Sequence, residues 1–269
     1  MALTDYDAYL DALKANRVAD FQTLGTVGRP NRLSAAWRFF VPAALTPTTS
    51  VATSRSSDIA IGPIPDVGAG RLSILGARMG TSGNSGVGCI LVDVLNHSGG
   101  LSGTSTAAQT TGLPTAALTR YTSGEGVMAA VIIYTQLGTT ATTFVVSYTN
   151  QSGTSGRTST ATQIGAGNFN NVASVIMIPL QADDTGVRSV QSVTLAGTTG
   201  GVGNFGVVLF KPLAMMALND VMSAMPIDSV SSGGFIGALA EVQPNACLSV
   251  IVNQVTVQST NGAVILAEV

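Results

Sequence analysis

From residue 37 onward the chain is written as short runs of Val, Ile, Thr and aromatic residues, interrupted every few positions by glycine and small polar residues. That punctuation is the signature of many short strands joined by turns. Candidate strands are Trp37–Val41, Ile59–Ile61, Arg71–Met79, Val87–Leu95, Val127–Thr135, Thr143–Tyr148, Val172–Ile178, Val187–Leu195, Phe205–Lys211, Cys247–Val257 and Ala263–Val269. Tracts such as 80–86 and 197–201 join them, and the Ser/Thr-rich stretches 46–57, 102–111 and 154–162 read as loops. Several runs alternate, as Leu72 and Ile74 do and as Val187 and Val193 do with polar neighbours, which suits an antiparallel sheet with one face left to solvent or a partner. Met128 to Ile133 is apolar on both faces and belongs at a centre. No strand–helix alternation is present, so a βαβ protein is excluded.

The expected fold is therefore mainly β, a jelly-roll-like antiparallel β-sandwich over residues 37–269. One helix is expected near 213–224: Pro212 stands where a first-turn proline would, and Leu213, Met216, Leu218, Val221, Met222 and Met225 follow before Pro226. The first 36 residues differ. Nine charged residues fall before residue 40, and Thr4 with Asp7 has capping-box spacing. Tyr6, Leu10 and Leu13 then recur at helical intervals, with Phe21 beside the stripe. Residues 5–21 read as one amphipathic helix in an N-terminal arm spanning 1–36. A short helix of this kind needs a surface, either the body of its own chain or a neighbour.

Composition bounds the function. Only 10% of the residues are charged, against roughly 25% in an average soluble domain, so the surface is built from hydroxyls, amides and methyls. Interface cores are depleted of Lys, Glu and Asp in the same way, which points to life among other subunits. A net charge of −2 gives no footprint for nucleic acid or an anionic membrane. The longest apolar runs, Val127 to Tyr134 and Leu213 to Leu218, fall far short of the roughly 20 residues of a spanning helix. The N-terminus places acids where an export signal has bases. Cys89 and Cys247 each sit in an apolar run and read as buried free thiols.

Catalytic groupings are missing from the sequence. The single histidine, His97, has no Gly-x-Ser-x-Gly elbow to serve and reads as a turn residue bonded to backbone. One His and two distant Cys show no zinc spacing. Gly201-Val202-Gly203-Asn204-Phe205-Gly206 spells a dinucleotide motif, but a strand follows where a helix is required, so it reads as a hairpin turn. Asp183-Asp184-Thr185-Gly186 lacks the alternate-acid spacing of an EF-hand; an Asp accepting backbone N–H bonds and a positive φ at Gly186 are the simpler reading. Asn96-His97-Ser98 and Asn150-Gln151-Ser152 are formal glycosylation sequons, discounted without an export signal. No catalytic residue, cofactor or metal is expected.

Two segments, Ser147 to Thr158 and Gln181 to Ser192, together with the Tyr-x-x-Tyr-Leu-x-x-Leu pattern from Tyr6 to Leu13, resemble a group of tailed-bacteriophage virion proteins known only as structural. The resemblance runs from residue 5 to about 225 and implies no catalytic residues. Within those segments Arg157 is the only charge between Glu125 and Asp183. So isolated an arginine is expected to reach Asp183 or Asp184 through its directional fork, with Arg188 a second donor nearby, or else to be a solvated loop tip. The expectation that follows is a non-enzymatic virion protein assembled in the host cytoplasm. It would be a capsid cement or decoration protein, stabilising the shell as a homotrimer, with itself and the major capsid protein as partners. A tail, collar or fibre protein is the nearest alternative. A glycan-binding jelly roll is another, though Trp37, beside Phe39 and Phe40, is the lone tryptophan.

Overall fold

A computed structural model describes residues 18–22, 32–35, 50–57, 59–60, 72–81, 87–218, 227–228, 241–254 and 260–268. Within them the chain is mainly β, and every strand pairing is antiparallel. The central seven-stranded sheet runs β10 (Val175–Met177), β6 (Met128–Thr135), β12 (Asn204–Leu218), β5 (Val87–His97), β15 (Leu248–Gln254), β2 (Arg32–Ala35), with β3 (Val51–Ala52) also on β5. A four-stranded sheet holds β11 (Val187–Leu195), β7 (Thr142–Asn150), β8 (Arg157–Thr158) and β9 (Thr162–Ile164). A five-stranded sheet joins β1 (Val18–Gln22), β16 (Thr260–Glu268), β4 (Leu72–Thr81), β13 (Ile227–Asp228) and β14 (Glu241–Val242).

The core follows from the periodicity of two. Ala129, Val131 and Ile133 of β6 and Phe205, Val207 and Leu209 of β12 join Phe144, Val146 and Tyr148 of β7 in one buried cluster. The intervening residues, Ala130, Ile132 and Tyr134 of β6 with Val208 and Phe210 of β12, belong to a second cluster that includes Val92, Val94, Ile59 and Cys247. The run that is apolar on both faces is thus the strand buried on both. At roughly 1.5–3 kcal/mol for each fully buried aliphatic or aromatic side chain, these two layers carry the fold.

β11 departs from simple alternation. Val187, Val190 and Val193 are buried at intervals of three, because bulges at Val187/Ser189 and Val190/Ser192 each insert a residue. The outer edge of this strand is closed by loops. Val187 N–H donates to Val127 O (3.1 Å), Val190 N–H to Pro114 O (2.9 Å) and Val193 N–H to Gln109 O (3.0 Å). A strand edge so satisfied offers no template for strand addition.

Several expectations are corrected. The helix near 213–224 is not formed where it is described: residues up to Leu218 continue β12, and 219–224 lie outside the described residues. Pro212 is tolerated there because β6 pairs β12 only as far as Phe210, and a register shift at Pro212/Ala214 bulges the strand against β5. Of the helix expected over 5–21, residues 18–21 belong instead to β1, in which Phe21 pairs with Gly262 of β16, and residues 5–17 lie outside the described residues. Tyr6, Leu10 and Leu13 lie outside the described residues, as does Trp37–Val41. Within the segment read as an arm, 18–22 and 32–35 pair with β16 and β15. Ile59 and Ala60 are buried in a turn closed by Ala60 N–H to Ser57 O rather than in a strand. The glycines at 201 and 203 do not form a hairpin, since β11 and β12 belong to different sheets and the chain crosses between them.

Candidate functional site

Charge in the body of the chain is sparse, and the fold gathers it. Residues 87–218 contain eight charged side chains: Asp93, Arg120, Glu125, Arg157, Asp183, Asp184, Arg188 and Lys211. Asp93 and Arg120 are buried inside the sandwich. The other six stand at one end of it, where β7 finishes, β11 begins and β12 passes Lys211. The opposite end, made of residues 98–104, 136–141, 165–171 and 196–203, contains none.

The charged rim is built around Asp184. Its carboxylate accepts Tyr148 Oη (2.5 Å), Asn150 Nδ2 (2.6 Å) and Arg157 Nε (2.8 Å), while Arg157 Nη2 donates to Ala182 O (3.1 Å). The Tyr148 hydroxyl also accepts Gln181 N–H at 2.8 Å. The Asp184 side chain is only 2% exposed, and the Arg157 hydrogen bond, with those of Tyr148 and Asn150, holds its carboxyl down at about 2. Burial and the neighbouring Asp184 push the Tyr148 hydroxyl up. Asn150 Oδ1 accepts Thr154 N–H (2.9 Å), and Gln151 Oε1 accepts Thr185 N–H (3.1 Å) and Gly186 N–H (3.3 Å). Arg188 Nε bonds Ser123 O (3.0 Å) and Gln151 O (2.9 Å). Thr185 Oγ1 donates to Glu125 Oε2 (2.9 Å), and Lys211 Nζ donates to Glu125 O (2.9 Å) with its ammonium over the Tyr121 ring. Three loops, 121–126, 150–157 and 180–186, are thereby tied to one another and to β7.

Arg157 therefore pairs with Asp184 and not with Asp183, which takes a left-handed φ of 71° at the exposed corner. The contact is single, through Nε, rather than the expected fork. Gly186 has no positive φ; it is required because a Cβ there would lie 1.9 Å from Gly124 O.

The fork occurs elsewhere, at a pair the sequence reading passed over. Arg120 Nε and Nη2 each donate to Asp93 at 2.9 Å, Nη2 also to Val94 O and Nη1 to Thr53 O, both at 2.9 Å. Cys247 N–H adds a bond to Asp93 Oδ1 at 2.8 Å, and Thr53 Oγ1 donates to Val94 O. Burial pushes the Asp93 carboxyl up, and Arg120 and the Cys247 N–H pull against it. An acid in the middle of the apolar run Ile90 to Leu95 was the available signal. Tyr148 and Asn150 were also missed, since a hydroxyl and an amide carry no sequence mark of their partner.

The arrangement is a closed set of hydrogen bonds centred on one carboxylate. The Asp184 oxygens already accept three donors. Burial raises the Cys89 thiol and pushes Cys247 up to about 12, so both stay protonated. His97 is the last residue of β5, not a turn residue, and burial drives it down to about 4. Among the described residues no group of three His, Cys, Asp or Glu is placed to hold a metal ion, and no helix is long and apolar enough to cross a membrane.

The uncharged end is equally fixed, by backbone. Buried Thr199 accepts Gly138 N–H (3.2 Å) and donates to Gly201 O (3.0 Å) through Oγ1, while its own N–H reaches Gly103 O (2.8 Å). A Cβ at Gly138 would lie 1.9 Å from Thr199 O, so glycine lets these loops close on one another. No protein family, no curated protein and no solved structure matches this chain.

Proposed function

We propose that this chain is a non-enzymatic structural subunit of a tailed-bacteriophage particle, a cement-type protein that binds the capsid shell as a homo-oligomer, a trimer by analogy with other shell-bound sandwiches, and stabilises it. The observation that carries the reading is the segregation of charge. All six charges not buried in the 87–218 body stand at one interlocked rim, leaving the other end and the sheet face between them free of charge. A protein selected for solution spreads charge of both signs over its surface; one selected for burial against neighbours withholds it where contact occurs. Loops fixed beforehand lose little freedom on docking, which favours assembly over adaptive recognition.

The test is made on purified particles. Quantitative mass spectrometry should find the chain in a fixed copy number, and particles stripped of it should take the purified protein back and withstand heating better. Particles that contain none of it, or that neither rebind nor gain resistance, would overturn the proposal. Finding the same copy number in isolated tails instead of shells would move the subunit to the tail.

A further inference from the structure

Among the described residues, the outer face of the four-stranded sheet is an extended surface whose composition suits burial against a partner. Its outward residues meet in register, Thr149 beside Ser189, Ser147 beside Ser192 and Val145 beside Thr194, and none is fully buried within the subunit. No charged residue occurs in 126–156 or 189–210, although the same chain places six charges at the adjoining rim. The two arginines at the margin of this face are already engaged, Arg157 by Asp184 and Arg188 by two carbonyls. Nothing on the face therefore has to shed a charged group's hydration on burial. Ser, Thr and Val also lose little side-chain freedom when covered, unlike the Lys and Glu of a solvated sheet.

The identity of the occupant follows from electrostatics and from the strand edge. A neutral face meeting its own copy brings no like charges together, whereas a partner chosen by charge would need a complementary charge that this face does not supply. Growth by strand addition is closed at β11, whose edge N–H groups are held by Gln109, Pro114 and Val127. At this edge, face-to-face stacking is the route left open to a second copy.

We propose that this face lines the symmetry axis of a homo-oligomer, with β7 and β11 of each copy buried against the same strands of its neighbours. The inference rests on the assembly reading above and names the surface through which copies meet. Around a symmetry axis each face sees only its equivalents, so one substitution is presented in every subunit at once.

The experiment uses the full chain at micromolar concentration in analytical ultracentrifugation. Wild type is expected to sediment as an oligomer. Ser147→Lys, which sets like charges around the axis, should weaken self-association about 100-fold or more, and Ser147→Glu should do the same. An equal mixture of the two should re-form the oligomer. Thr149→Lys repeats the test one outward position along β7, and Thr122→Lys at the charged rim should leave assembly unchanged. Near-ultraviolet circular dichroism matching wild type confirms that each variant is folded. A Ser147→Lys protein that associates as wild type, or a mixture that stays monomeric, overturns the proposal. A monomeric wild type that still occupies particles also overturns it while leaving the structural role intact, and an oligomer of the expected behaviour found in no particle refutes the role and leaves the interface standing.

Discussion

Taking the guanidinium from Arg120 strands the fully buried Asp93 carboxylate in the core without its fork. Arg120→Ala should cost about 3–5 kcal/mol in chemical denaturation, and Arg120→Lys should recover only part, because an ammonium cannot bond both oxygens and two carbonyls in that plane. Arg157 is half-open to solvent and works differently: Arg157→Ala should lower the melting midpoint by several degrees and speed amide exchange at Thr154, since it frees the loop that Asp184 anchors. The pH dependence has a definite sign. Asp184 is depressed to about 2, so its contribution is complete above the ordinary carboxylate range near 4 and is withdrawn as pH falls towards 2. The gap between wild type and Arg157→Ala should close over that interval. His97 acts higher: it is neutral when folded down to about 4, while the unfolded chain takes up a proton below about 6.5. Stability should therefore fall between pH 6.5 and 4, and His97→Gln should flatten that slope; a slope unchanged in the variant would assign it to other groups.

At the level of strands, close backbone approach is the feature most open to test. A Cβ at Gly206 in β12 would stand 1.9 Å from Ser98 O, whereas one at Gly156 would meet nothing within 4 Å and suffer only from its φ of 72°. Gly206→Ala should cost more than the ~1–3 kcal/mol of ordinary overpacking, and Gly156→Ala about 1–2 kcal/mol; equal losses in urea titration would contradict the packing. This contrast also shows what the sequence could reveal. β6 and β11 were legible because apolar residues and flanking glycines mark them directly. The continuation of β12 through Leu218 was not, because Pro212 followed by Leu and Met imitates a helix start until the bulge against β5 is known. The spacing of Val187, Val190 and Val193 fits no simple strand period, and only the two bulges make it one buried face. For the site, Arg157 and an acid of the 183–184 pair were readable from their isolation. The choice of Asp184 depended on Tyr148 and Asn150, brought close by the pairing of β7 with β11.

Across the whole molecule, residues distant in sequence are neighbours in the sheets. β1 lies on β16, and β2 lies on β15. Deleting residues 1–36 should therefore lower the melting midpoint and promote aggregation, as the edges of β15 and β16 are uncovered; a truncated protein as soluble and as stable as the full chain would show that these strands are dispensable. The same pairing sets the timing of maturation. β1 and β4 both wait for β16 to fill the place between them, and at ordinary elongation rates the ribosome delivers residue 268 on the order of tens of seconds after residue 22. During that interval the five-stranded sheet lacks its middle, and β1 and β4 have no partner between them. The five-stranded sheet can therefore close only once the last of its strands has left the ribosome, so a segment made among the first reaches its final pairing among the last.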